Sequence, residues 1–341
     1  MANIMLTDGC NLDCPYCFAH EFVVKSRPKY QITMEQFRRI LDFILLDGTD
    51  RHVGLIGGEP SIHPLFGEFL DVIEDEPRID YVVIYTNGIA LKKHIERLLS
   101  EKIRMLINCN SPEIVGEARF FQLTDNINQL AEKNAHVTLG INVYKPDYDV
   151  SFLLPLLELF ERPRLRFSLS MPKFPDSVAN PLESFRLMKK TMLDIFCQMK
   201  DRNIIPYFDC NFFPPCLFTA EETATFDDWG AENPLLTMKS RAVSCAPVID
   251  IMADGTAVRC FGLSAQTKVN IRDFATITDL RRYYMRTVDA YAMNCYYDSS
   301  CRDCYKFRTA KCTAGCLAYK MKRVGQLRKA VEKSIDGNFG L

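Results

Sequence analysis

Along the first 170 residues, short apolar or β-branched runs alternate with longer segments whose apolar positions recur every three to four residues. The short runs fall at 3–7 (NIMLT), 53–56 (VGLI), 81–85 (YVVIY), 103–108 (IRMLIN), 137–143 (VTLGINV) and 164–169 (RLRFSL). Continuous apolar runs of this length suit parallel strands buried on both faces. The clearest helix is predicted to start at Thr33, an N-cap with Gln36 three residues on, so that side chains and backbone N–H groups satisfy one another reciprocally. Phe37, Ile40, Leu41, Ile44 and Leu45 then share one face, and Gly48 supplies a stop. Further helices are expected at about 65–75, 91–100, 116–133 and 151–161. Six strand–helix units predict an α/β fold with a parallel sheet, doubly wound or curled into a barrel, whose ligands gather at the C-terminal strand ends.

A longer amphipathic helix is expected over about 182–202, after which the alternation stops and loop-like sequence rich in cysteine, proline and aromatic residues takes over. A domain boundary is therefore expected near 205, giving a core domain at 1–205, a cysteine-rich domain at 206–320 and a basic C-terminal helix and tail at 321–341. The last helix, about 317–335, carries Lys320, Lys322, Arg323, Arg328, Lys329 and Lys333 against Glu332, as a solvated docking helix would.

Composition changes this picture in one respect. A chain of 341 residues that is 48% apolar, with a net charge of −1, reads as an ordinary globular protein with no global field for a polyanion such as nucleic acid. The N-terminus lacks a signal-peptide pattern and no run is long enough for a membrane helix, so the expected address is the cytoplasm. The outlier is cysteine, with 14 copies clustered near both ends, which in a chain without a secretory signal points to metal rather than to disulfides.

The first predicted strand runs into Cys10-x3-Cys14-x2-Cys17. Three thiolates on one loop suit three irons of a [4Fe–4S] cluster, leaving the fourth open to a small chelating ligand; a zinc site is the alternative, although a closed one wants four ligands. The second predicted strand ends in Gly57-Gly58-Glu59-Pro60, at the same sheet edge. The glycines would let backbone approach a ligand closely, and Glu59 offers a carboxylate to a cationic group. With Tyr85-Thr86-Asn87-Gly88 after the third strand, these motifs resemble the radical SAM superfamily over roughly residues 3–170. The resemblance implies a partial (βα)6 barrel in which S-adenosylmethionine (SAM) chelates the open iron held by Cys10, Cys14 and Cys17. It implies that Gly57, Gly58 and Glu59 hold the SAM amino group and that Tyr16 lies against the adenine. Asn108 and Asn110 occupy the place of ribose-binding residues, and Arg166 that of a partner for the SAM carboxylate; a structural polar role is the alternative for each. The chemistry implied is reductive cleavage of SAM to a 5′-deoxyadenosyl radical that abstracts hydrogen from a substrate. Such a protein would be oxygen-sensitive. Cys109 and Cys197 read as core residues, and His63 as part of a helix start.

The C-terminal pattern is Cys245-x9-Gly255-x4-Cys260, then Cys295-x5-Cys301-x2-Cys304-x7-Cys312-x3-Cys316. It resembles the SPASM extension of radical SAM enzymes, which carries two auxiliary [4Fe–4S] clusters. Seven residues separate Cys304 from Cys312 where the family usually has five, and no cysteine follows Cys316. By analogy, Cys216, Cys245, Cys260 and Cys316 are assigned to a first auxiliary cluster, and Cys295, Cys301, Cys304 and Cys312 to a second. Cys210 is then spare and exchangeable with Cys216; a zinc site of Cys301, Cys304, Cys312 and Cys316 is the rival. The resemblance implies a peptide or protein side chain as substrate, with dehydrogenation or rearrangement of a small metabolite as the alternative. A non-catalytic iron–sulfur or zinc scaffold is the reading from a different class. Because Cys10 lies so near the start, peptide recognition is expected from a separate protein or from the surface itself, and the electron from a flavodoxin or ferredoxin.

Overall fold

The computed structural model describes residues 1–17, 19, 28–170, 181–208, 215–222, 224, 248–261, 267–292, 294–296, 298–309, 312–316 and 320. Its first six strands are β1 (Ala2–Met5), β2 (His52–Ile56), β3 (Tyr81–Thr86), β4 (Ile103–Asn108), β5 (Val137–Val143) and β6 (Arg164–Leu169), each at a predicted apolar run. They are joined by α1 (Met34–Leu45), α2 (Phe66–Asp75), α3 (Ile95–Leu98), α4 (Pro112–Val115), α5 (Glu117–Glu132) and α6 (Leu154–Leu157). All neighbouring pairs from β1 to β6 are parallel, so every C-terminal strand end lies on one edge. Helix α7 (Pro181–Asp201) leads to β7 (Ile205–Phe208), which adds parallel to β6.

Local chemistry explains the element ends. Thr33 accepts from Gln36 N (3.2 Å) while the Gln36 side chain accepts from Thr33 N (2.9 Å), so α1 starts with two of its orphan donors satisfied. The apolar stripe Phe37, Ile40, Leu41, Ile44 and Leu45 is buried as a unit. Two predicted helices are shorter than expected. The 91–100 segment opens as a 3₁₀ turn, with His94 N donating to Leu91 O (2.7 Å), before α3 begins. In the 151–161 segment, Pro155 fits only the first turn of a helix and Pro163 restricts the residue before it, leaving α6 a single turn.

The sheet also continues past β1. Strands β8 (Ile249–Ile251), β9 (Thr256–Val258) and β10 (Val269–Asn270) give the ten-stranded order β10-β9-β8-β1-β2-β3-β4-β5-β6-β7. β8 is parallel to β1, pairing Asn3 with Asp250, and the Asn3 side-chain amide donates to the Asp250 carboxylate within the core (2.7 Å). β8 and β9 form an antiparallel hairpin whose turn carries Gly255 at φ +85°. Helix α8 (Ile277–Tyr284) then docks beside α1: Thr278 N donates to Asp47 (3.2 Å) and Arg281 pairs with Asp50. Among the described residues, no helix is long and apolar enough to cross a membrane.

Candidate active site

The loop after β1 carries the three N-terminal cysteines and is held by backbone, not by side-chain packing alone. Gly58 N donates to Thr7 O (2.9 Å) and Glu59 N to Gly9 O (2.8 Å), so the end of β2 zips onto the start of the cysteine loop. This contact needs both glycines. A Cβ on Gly57 would lie 2.6 Å from Thr7 O, and one on Gly58 would lie 2.2 Å from Gly9 O, far inside van der Waals contact. The glycine pair thus gives the cysteine loop itself its close approach. Asp8 ties down the other arm by accepting from the N–H groups of Lys29 (3.1 Å) and Tyr30 (3.3 Å).

Glu59 follows, almost fully buried. Its Oε1 accepts from Ser61 N (3.1 Å), Ser61 Oγ (2.6 Å) and Thr86 Oγ1 (2.6 Å), while Oε2 accepts from Asn87 N (2.6 Å). Burial raises its pKa and these four donors oppose the rise. A carboxylate has about four acceptor positions, so Oε2 keeps one for a further donor. Asn87 also donates to Asn11 in the cysteine loop (2.7 Å), which locks the ends of β2 and β3 to that loop.

The three thiols stand close enough to Glu59 and to one another that their charges interact. Burial pushes Cys10 up to about 12, against the Leu12 N–H that points at its sulfur (3.4 Å), and pushes Cys14 up to about 11. As bare thiols Cys10 and Cys14 are protonated at neutral pH; iron would take them as thiolates and release the protons. The donor set fits a cluster: three sulfurs on one loop, N–H groups directed at two of them, and a buried carboxylate alongside. Among the described residues, no three Cys, His, Asp or Glu side chains converge on one ion position.

The other expected contacts assemble on the same edge. Tyr16 donates its hydroxyl to Asn110, whose amide in turn points at Cys14 Sγ (3.8 Å), and its ring lies 5.1 Å from that of Tyr144. Arg166 reaches Asn108 (2.9 Å) and Asn142 (3.3 Å), joining β6, β4 and β5. Ser61, Thr86, Asn87 and Asn142 carry the site's internal hydrogen bonds; Thr86 and Asn87 belong to the motif after the third strand without a role assigned to them there, and Ser61 and Asn142 were not singled out in the sequence. Cys109 is buried with its thiol on Ile107 O (3.6 Å), as a core residue. Cys197 is not a core residue. The buried stripe of α7 runs Met192, Ile195, Phe196, Met199, and Cys197 falls off it onto the exposed face. His63 is buried and accepts from Leu65 N (3.1 Å), and burial lowers it to about 4, so it is a neutral structural group at neutral pH.

Cys210 and Cys245 lie outside the described residues, as does most of the basic C-terminal segment. The described C-terminal cysteines are 216, 260, 295, 301, 304, 312 and 316, and no disulfide joins any of them. Cys216 lies within electrostatic reach of Cys304 and Cys312, and Cys301 within reach of all three.

The mostly parallel α/β sheet thus presents thiols and a buried carboxylate together at its C-terminal edge. Residues 4–149 match the family model of the Radical SAM superfamily. Over those residues, less than half of its length, the chain is similar to that superfamily, and the comparisons indicate an enzyme. GTP 3′,8-cyclase of Vibrio cholerae serotype O1 is 32% identical over 137 residues, covering 38% of this chain and 41% of that protein. The chain thus spans about two fifths of the length of the curated relative it matches. Streptococcus suis SuiB bound to S-adenosylmethionine shares the fold, with a TM-score of 0.62, 17% identity and coverage of 94% of this chain and 73% of that one. SuiB bound to the precursor peptide SuiA gives 0.63 at 18% identity, covering 94% and 72%.

Proposed function

We propose that this chain reductively cleaves S-adenosylmethionine at a [4Fe–4S] cluster held by Cys10, Cys14 and Cys17, and abstracts hydrogen from a peptide or protein side chain. The observation that carries the reading is the glycine-dependent backbone zipper, which sets the cysteine loop directly against Glu59. When bound, the cluster supplies the electron that breaks a carbon–sulfur bond of SAM; a flavodoxin or ferredoxin is its expected source. Glu59 receives the SAM amino group at the acceptor position left on Oε2, while Ser61, Thr86 and Asn87 fix that carboxylate. Tyr16, held by Asn110 and backed by Tyr144, offers a ring face to the adenine. Arg166, oriented by Asn108 and Asn142, offers charge to a carboxylate.

The peptide reading is supported by the SuiB likeness, which extends over nearly the whole chain and includes the structure with precursor peptide, and by the C-terminal cysteine spacing of a SPASM-type extension. The second reading, a small metabolite, is favoured by the GTP 3′,8-cyclase match across the N-terminal part. The test is anaerobic reconstitution followed by incubation with SAM and dithionite. Formation of 5′-deoxyadenosine and methionine, lost in Cys14→Ala, is the expected result; their absence from iron-loaded wild-type protein refutes the proposal. Deuterium transfer into 5′-deoxyadenosine from labelled candidate peptides, or from labelled nucleotides, then separates the two substrates.

A further inference from the structure

A cleft of about 450 Å³ borders the cysteine loop, lined by residues of that loop, of the segment after β3 and of helix α5. Asn11 is the cysteine loop's contribution. It stands at the tip of the turn in which Leu12 N points back at Cys10 Sγ (3.4 Å), so the cleft reaches within one residue of a cysteine of the triad. The Asn11 side chain also accepts from Asn87 (2.7 Å), which ties this part of the lining to the end of β3. Lys92 comes from the turn after β3, and Arg119, Phe121 and Gln122 come from the first two turns of α5. The hollow is preformed. Asn126, buried in α5, donates through Nδ2 to Gly88 O (2.8 Å) and Ile89 O (3.0 Å), fastening the segment after β3 to the helix.

The lining has the chemistry of a binding anchor. Phe121 is 72% exposed, a large aromatic side chain left in water. Arg119 is exposed and has no ion pair among the described residues. Lys92 is 79% exposed and stands 3.6 Å from Asp125, a surface pair that contributes little and leaves its ammonium available. Asp125 also accepts from Gln129 (2.9 Å), and it is the one carboxylate of the lining, set against two cations. Helix α5 starts at Gly116 without a capping side chain, so its positive end adds to their charge. The buried Asn126 Oδ1 has no hydrogen-bond partner, an acceptor that an incoming N–H would satisfy. Arginine and aromatic side chains around a preformed hollow are the residues that carry affinity at protein interfaces. The surplus of positive charge favours an acidic partner.

We infer that this cleft is the docking surface for an acidic one-electron carrier protein, with Arg119 and Lys92 receiving its carboxylates and Phe121 its apolar contact. The inference rests on the SAM-cleaving reading, since a reductive cleavage needs an electron brought from outside, and it adds the place of entry. Position carries it. A carrier seated in the cleft touches Asn11, the sequence neighbour of Cys10, while Glu59, Tyr16 and Arg166 form no part of the lining and stay free for SAM. The carrier gives up one electron and is oxidised, the cluster takes that electron up, and no covalent bond changes in the cleft. Electron-transfer encounters are small and steered by charge, so two cations and one aromatic anchor are enough.

The test uses the full chain, reconstituted anaerobically, with an acidic flavodoxin as the carrier. Calorimetric titration with oxidised flavodoxin measures binding without turnover. The double variant Lys92→Glu, Arg119→Glu is expected to bind about tenfold more weakly or worse and to lose most of the salt dependence of binding. Phe121→Ala is expected to weaken binding by about tenfold with the salt dependence kept. A second double variant, Arg38→Glu, Arg39→Glu on α1, makes the same charge change at exposed positions outside the cleft and is expected to bind as wild type. 5′-Deoxyadenosine formation driven by reduced flavodoxin should fall with affinity in the cleft variants, while formation driven by dithionite, which needs no docking surface, stays at the wild-type rate. Unchanged flavodoxin binding in the cleft variants overturns the inference, and so does equal weakening by the α1 variant or a matching loss of dithionite-driven activity. Flavodoxin binding kept while an acidic candidate peptide or a second copy of the chain is no longer bound assigns the cleft to that occupant and also overturns it. A wild-type protein that binds flavodoxin through these residues yet makes no 5′-deoxyadenosine with dithionite sinks the proposed function and leaves the docking surface standing.

Discussion

Gly58→Ala tests whether the zipper between β2 and the cysteine loop sets the geometry of the site. The added methyl would lie 2.2 Å from Gly9 O, 2.6 Å from Gly9 C and 3.0 Å from Asp8 O. All three are backbone atoms, so no side chain can swing aside, and the loop must retreat by about 1 Å to reach ordinary contact at about 3.3 Å. That retreat stretches two hydrogen bonds, Gly58 N to Thr7 O at 2.9 Å and Glu59 N to Gly9 O at 2.8 Å. Overpacking of this kind costs about 1–3 kcal/mol, and each of the two weakened hydrogen bonds adds about 1 kcal/mol, for a total of about 3–5 kcal/mol. A domain with about 5–15 kcal/mol of stability survives such a loss, but the cysteines no longer stand against Glu59. Gly48→Ala is the control. Gly48 sits at φ +68° with nothing within 4 Å of a Cβ, so alanine there costs about 1 kcal/mol in backbone strain, far from the cysteine loop. Anaerobic reconstitution of both variants is expected to give wild-type iron content in Gly48→Ala and a deficit of about one cluster in Gly58→Ala, with 5′-deoxyadenosine formation falling in step. Full iron loading and SAM cleavage in Gly58→Ala would refute the argument from close approach.

Three further outcomes follow from the same structure. Thr86→Val removes one of the donors to Glu59 Oε1 and the acceptor for Gly88 N; a loss of about 1–3 kcal/mol in stability and a higher KM for SAM are expected at unchanged iron content, and an unchanged KM would detach Thr86 from the site. Asp250 is a buried carboxyl raised from 3.8 to about 6, chiefly by burial, so its charge burdens the fold above that pH and is absent below about 4. Asp250→Asn should therefore stabilise the protein by up to about 3 kcal/mol at pH 8, with the gain shrinking as pH falls through 6 toward 4; an equal difference in urea midpoint at pH 8 and pH 5 would contradict this. Cys197→Ser should change stability by no more than about 0.5 kcal/mol and leave iron content unchanged, and Cys197 should alkylate in the folded protein while buried Cys109 resists; protection of Cys197 would return it to the core.

How far the sequence could be read depended on whether a feature is set by local or by distant residues. The strands β1–β6 were legible because each is a continuous apolar run between polar helical surfaces, and α1 was legible to its capping residue because Thr33 and Gln36 act on each other directly. The hairpin β8–β9 was missed although Asp254-Gly255 between two short β-branched runs is a hairpin signal. Gly255 had been absorbed into the cysteine spacing, where it served only as a marker. What no local pattern could give is the pairing of β8 with β1, since the register of Asn3 against Asp250 is made across 247 positions of sequence. The site divides in the same way. Cys10, Cys14, Cys17, Gly57, Gly58 and Glu59 were picked out by spacing, but spacing could not show that the glycines also admit the backbone of Thr7 and Gly9. The roles of Ser61, Thr86 and Asn87 were not legible, although Thr86 and Asn87 lie in a quoted motif, because a hydroxyl or amide past a strand end is common; only the fold shows that all three converge on one carboxylate.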